Sequence, residues 1–178
     1  MKGHGLVVEA AARLAARRIR PHVAFVGQGS QEAEIRGAIA RHGLEAQFTL
    51  TGFVADPSTV MPALDVALYV PVESDGMSRV VFEYLAAGRA LVASRVGVVP
   101  EILEDGEHAL LVPAGDAAAL TDALGRLLGD PALRARLGAA GRRLVLERYS
   151  GARLAEALEG HYARLTGARQ DARLAGAL

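Results

Sequence analysis

Cysteine is absent, which excludes disulfide scaffolds, thiolate-bound zinc and a cysteine nucleophile. Tryptophan and asparagine are absent as well, aromatics make up only 4% of the 178 residues, and lysine occurs once, as Lys2, against 19 arginines. Neither sign of charge prevails. Twenty basic and 20 acidic residues leave a formal net charge of zero, so nothing draws the whole chain towards nucleic acid or an anionic membrane. No apolar run approaches the ~20 residues needed to cross a bilayer, and no signal-peptide core opens the sequence, so it reads as cytoplasmic. What is present is apolar content of 51%, including 35 alanines, which is small, helix-friendly and incompatible with intrinsic disorder. The length suits one domain with a full core.

Short apolar strands alternate with helical periodicity. Leu6, Val7, Ala11, Leu14 and Ala15 place a helix over residues 4–18, and Pro21 breaks it. Strands are expected at 22–26, 47–51, 66–70, 90–94 and 109–112. Ser30 is expected to cap a helix running to about residue 41, and Asp56-Pro57 to start a helical turn. Further helices are expected over 78–87, 99–103, 116–128, 131–148 and 150–165. This alternation argues for an α/β fold, a three-layer arrangement of a parallel sheet with helices on both faces. Residues 1–167 then form the domain, and 168–178 a frayed tail. Nine arginines against four acids between Arg134 and Arg173 suit the solvated face of long helices.

Ligands of open parallel sheets bind beyond the carboxyl ends of the strands. The segment after the third strand concentrates polar chemistry there. Asp75 sits in the loop, Gly76 permits close backbone approach, and a helix starts at Ser78 with unpaired first-turn amides suited to phosphate. Glu83 follows in the second turn. Such a set fits a sugar nucleotide, although acids near helix starts also serve merely as caps.

The same segment resembles the acid-x7-Glu signature of retaining GT-B glycosyltransferases, the glycogen-synthase-like or group 1 family, with Asp75 in place of the usual Glu and Met77-Ser78 where Phe-Gly is common. Phe25-Val26-Gly27-Gln28-Gly29 resembles the family's strand and Gly-x-Gly loop. Thr51-Gly52-Phe53-Val54 resembles its loop near the nucleobase, and Gly97 to Glu101, Asp105-Gly106 and Arg148-Tyr149-Ser150 agree in order. The likeness covers roughly residues 2–165 and implies the Rossmann-like, donor-binding C-terminal half of a GT-B fold. It further implies that Asp75 bonds the donor sugar, that Glu83 takes the ribose hydroxyls, and that Gly76, Met77, Ser78, Arg79 and Val80 hold sugar and diphosphate through their backbone. The resemblance likewise implies that Gly52, Phe53 and Val54 lie near the base. Lys2, followed by Gly3, resembles the lysine of an Arg-x4-Lys-Gly pattern that neutralises the leaving diphosphate.

The resemblance implies sugar transfer from a nucleoside-diphosphate sugar to an acceptor hydroxyl with retention, the leaving phosphate helping to deprotonate the acceptor. No cofactor and no metal are expected, since there is no Asp-x-Asp pair and the five histidines lack ligand spacing. His4 reads as a helix-start residue rather than a base, and Glu101 as a helix-start residue at a turn near the pocket. A glycosidase pair of Glu73 and Glu83 has no support in the surrounding pattern. The family's first strand, its phosphate-binding arginine and its acceptor domain would all precede Lys2. The expected partners are therefore a nucleotide sugar and an N-terminal acceptor domain or partner chain, with no nucleic acid. Alone, the chain is expected to be inactive and to self-associate or leave a vacant groove beside residues 22–26. The alternative is a non-catalytic nucleotide-sugar-binding or assembly module.

Overall fold

The computed structural model describes residues 2–73, 76 and 78–175, with side chains through residue 165. Helix α1 (His4–Ala16) buries Val7, Val8, Ala10, Ala11 and Leu14 at helical spacing. Strand β1 (Val23–Phe25), helix α2 (Glu32–Arg41) and strand β2 (Phe48–Leu50) follow. Ser30 is not the cap of α2. The Glu32 amide bonds the Gly29 carbonyl and closes a turn, so the helix starts later, with Gln31 in the cap position.

After short 3-10 turns come β3 (Val66–Tyr69), α3 (Arg79–Ala86), β4 (Ala90–Ser94), α4 (Val99–Ile102) and β5 (Leu110–Val112). Helices α5 (Ala117–Gly129), α6 (Pro131–Arg148) and α7 (Gly151–Ala175) end the described chain. Asp116 and Asp130 cap α5 and α6 by accepting from the amides of Ala119 and Leu133, each at 2.9 Å. The expected tail at 168–178 lies beyond the described side chains.

All pairings in named strands are parallel, but the strands form two patches. β1 pairs with β2, and β3, β4 and β5 pair in that order. Along β4, fully buried, side chains alternate between two helical layers. Ala90 and Val92 pack with α1 and α5, while Leu91 and Ala93 pack with α3, α4 and α6. A third cluster joins α1 to α2 and Phe48. Helix α1 thus belongs to the packing of both patches. Among the described residues no strand lies between β1 and β3.

Candidate functional site

The carboxyl ends of β1 and β3 meet at the start of α1. The His4 ring stands edge-on to Phe25, the last residue of β1, with centroids 4.9 Å apart. Gly3 abuts the Val70 carbonyl just past β3, so closely that a Cβ would overlap its oxygen. Gly3 also caps α1 at φ 76°, a left-handed conformation that disfavours any side chain. The start of α1 therefore lies against the carboxyl ends of both strands.

A cavity of about 720 Å3 opens there, with Lys2, His4, Ser78 and Val80 among its lining residues. Ser78 is the N-cap of α3, in extended conformation, and its hydroxyl does not cap the helix. Among the described residues no side chain caps α1 or α3, and the first-turn amides of two helices are suited to an anion. Lys2 adds a full positive charge at the same end. That charge is felt by His4, whose imidazole is held below its ordinary range, first by burial and then by Lys2. His4 Nδ1 is buried without a partner.

The sequence-predicted residues fall into three groups. Lys2, Ser78 and Val80 line one cavity. Gly52, Phe53 and Val54 occupy the next flank of the carboxyl edge, where the Gly27 amide donates to the Gly52 carbonyl at 3.0 Å and ties two loops together. Phe53 is 72% exposed, an unpacked ring at that edge. Gly76, at φ 92°, Arg79 and Glu83 are exposed beside the start of α3. Glu83 does not line the cavity, but its charge and, more strongly, burial raise the pKa of the neighbouring Tyr84, which does. Asp75 and Met77 lie outside the described residues.

Glu73 and Glu101 are exposed. His22, His108 and His161 are engaged by Thr49, the Glu104 amide and Arg164 respectively. Sequence reasoning placed His4 at a helix start, where it stands, without a role in the pocket, and did not single out Tyr84. The spacing of α1 places His4 at a helix start, but nothing local marks its contact with Phe25, which is brought there by the strand-to-helix packing.

The chain is similar to alpha-D-kanosaminyltransferase of Streptomyces kanamyceticus, 30% identical over 164 residues that cover 90% of this chain and 42% of the relative. It thus spans less than half the length of that curated relative. By structure it resembles Alr3699/HepE of Anabaena, solved in complex with UDP, with a TM-score of 0.79 and 23% identity, over 89% of this chain and 45% of that one. The C-terminal domain of the glycosyl transferase group 1 family protein LpcC of Francisella tularensis superposes with a TM-score of 0.75 at 25% identity. Here the coverage is balanced, 84% of this chain and 80% of that domain, so the fold matched is one half of a GT-B glycosyltransferase. The family model for glycosyl transferases group 1 matches residues 1–130, and the chain belongs to that family.

Proposed function

We propose that the chain is the donor-binding half of a retaining glycosyltransferase, holding a nucleoside-diphosphate sugar at the carboxyl edge of its sheets. The observation that carries this reading is the convergence of Lys2 and the uncapped start of α3 on one cavity beside the start of α1. Diphosphate sits between the two helix ends, its charge met by amides and by the Lys2 ammonium. The charge is met without recourse to a metal. Phe53 offers a face to the base, Glu83 accepts from the ribose hydroxyls, and Asp75 contacts the sugar. These groups orient the donor and stabilise the departing diphosphate rather than attack the sugar. The acceptor hydroxyl is brought by an acceptor domain. Positioning of that hydroxyl is worth ~7–11 kcal/mol of barrier, so residues 1–178 tested alone transfer no sugar.

Titration with UDP, GDP and ADP followed by NMR tests the site. The expected affinity is weak, near millimolar or about −4 kcal/mol, with shifts at Lys2, Ser78 and Val80. Glu83→Ala weakens binding of the preferred nucleotide, since hydrogen bonds to a charged group are worth ~1.5–3 kcal/mol. EDTA leaves affinity unchanged. Shifts confined elsewhere, an unchanged affinity in Glu83→Ala, or robust turnover by the chain alone would each contradict the corresponding part of this reading.

A further inference from the structure

A half-buried imidazole costs stability where its nitrogens find no partner, and His4 is such a group. Its ring is nonetheless held in one place. Gly3, wedged against the Val70 carbonyl, fixes the backbone just ahead of it, and Phe25 meets the ring edge-on. His4 also lines the cavity shared by Lys2, Ser78 and Val80. With Nδ1 sealed inside, the cavity reaches the ring through its Nε2 edge.

The two nitrogens decide where the proton sits. A buried N–H without an acceptor is disfavoured more than a buried acceptor without a donor, so the neutral ring carries its proton on Nε2. A second proton would go to Nδ1, where nothing accepts its hydrogen bond. Burial opposes that proton too, as do the Lys2 charge and the positive end of α1. Tyr84 of α3 lines the same cavity, while Arg79 and Glu83 of α3 and Glu73 after β3 are exposed around it. His22 and Asp65, just ahead of β1 and β3, line its opposite end. The free chain thus aims a neutral Nε2–H at the place where Lys2 and the first turn of α3 gather positive charge.

We propose that His4 is a further ligand of the diphosphate at the donor site proposed above, its Nε2–H donating to a phosphate oxygen, and that binding draws a proton onto the ring. The phosphate contacts then extend from Lys2 and backbone amides to a side chain of α1. The orphaned Nδ1 penalises the imidazolium equally with and without ligand, whereas the negative diphosphate favours it only in the complex. The His4 pKa therefore rises on binding, the proton coming from solvent. By linkage, affinity increases as pH falls through the range in which the bound ring protonates.

UDP-glucose, GDP-mannose and ADP-glucose serve as probes, because a diphosphate esterified at both ends lacks the phosphate ionisation that occurs near pH ~6. The one that most shifts the NMR signals of Lys2, Ser78 and Val80 is titrated into residues 1–178 and two variants at about pH 8 and about pH 5.5. His4→Phe keeps a ring against Phe25 and removes both nitrogens. His4→Gln keeps an N–H near the position of Nε2 but cannot gain a proton. At the higher pH, His4→Phe is expected to bind about tenfold more weakly and His4→Gln within about threefold of the parent. At the lower pH the parent binds about fivefold or more tightly, neither variant follows, and the His4 ring signals titrate at higher pH with probe bound than without.

Equal affinity of His4→Phe at the higher pH, a pH dependence retained by His4→Gln, or an unmoved His4 titration would overturn the proposal. Should His4→Phe fail to fold, the parent's ring titration and His4→Gln decide it. Shifts at Lys2, Ser78 and Val80 with an unaltered His4 remove this contact alone. Absence of those shifts with every probe removes the donor site and the contact together.

Discussion

Two glycines near the start of α1 separate steric need from mere tolerance. Gly3 takes a left-handed conformation against the Val70 carbonyl, while an added Cβ at Gly5 meets nothing within 4 Å. Gly3→Ala is therefore expected to cost at least ~2 kcal/mol, because backbone rather than a flexible side chain blocks it. Gly5→Ala is expected to stabilise the helix, by up to ~1 kcal/mol. Urea unfolding of both variants checks the pair, and equal effects would refute the close approach. His4 gives a second test. Its pKa is lowered in the folded chain from an ordinary 6.5, so the unfolded chain binds more protons as pH falls through that value. The stability contributed here is full above about pH 7 and is progressively lost as pH falls below 6.5, and His4→Gln flattens that part of the profile.

At the scale of elements, caps and periodicity made most of the fold legible. Asp116 and Asp130 announce α5 and α6, and both bond the amides expected of them. Asp116→Ala is expected to cost ~1 kcal/mol, a fall of roughly 2–4 °C in Tm by calorimetry. Ser30 shows where local signals fail: a capping residue directly after Gly29 is overruled by the 29–32 turn. For the candidate site, the helix start at Ser78 was readable as an anion-binding element, because Gly76 and the end of the preceding strand mark it, whereas Lys2 entered only through family likeness. That Lys2, Ser78 and Val80 share a cavity was implied only through family likeness. The link depends on packing between residues more than 70 positions apart, which periodicity does not encode. A vacant groove beside residues 22–26 was likewise implied through family likeness, and the cavity runs along those residues.

For the whole molecule, the interrupted sheet predicts uneven stability. β4 is buried throughout and sits between two partners, whereas β1 and β2 have three residues each and only Phe48 among them is buried. Opening free energies vary with such burial. Native-state hydrogen exchange of the free chain is thus expected to be faster in β1, α2 and β2 than in β3, β4 and β5. Equal protection would mean that α1, which packs with both groups, couples them into one cooperative unit.

The same interruption gives the proposed donor site the character of a caliper. Its Gly27–Gly52 jaw rides on β1 and β2, and its Ser78 jaw on the patch of β3. A ligand of fixed span that touches both jaws fits best at one jaw spacing and draws the ensemble towards it. The coupling is reciprocal, so whatever sets that spacing from below also grades the grip above. The width of a single gap in a sheet then becomes a dial for affinity, turned without altering any residue that touches the ligand.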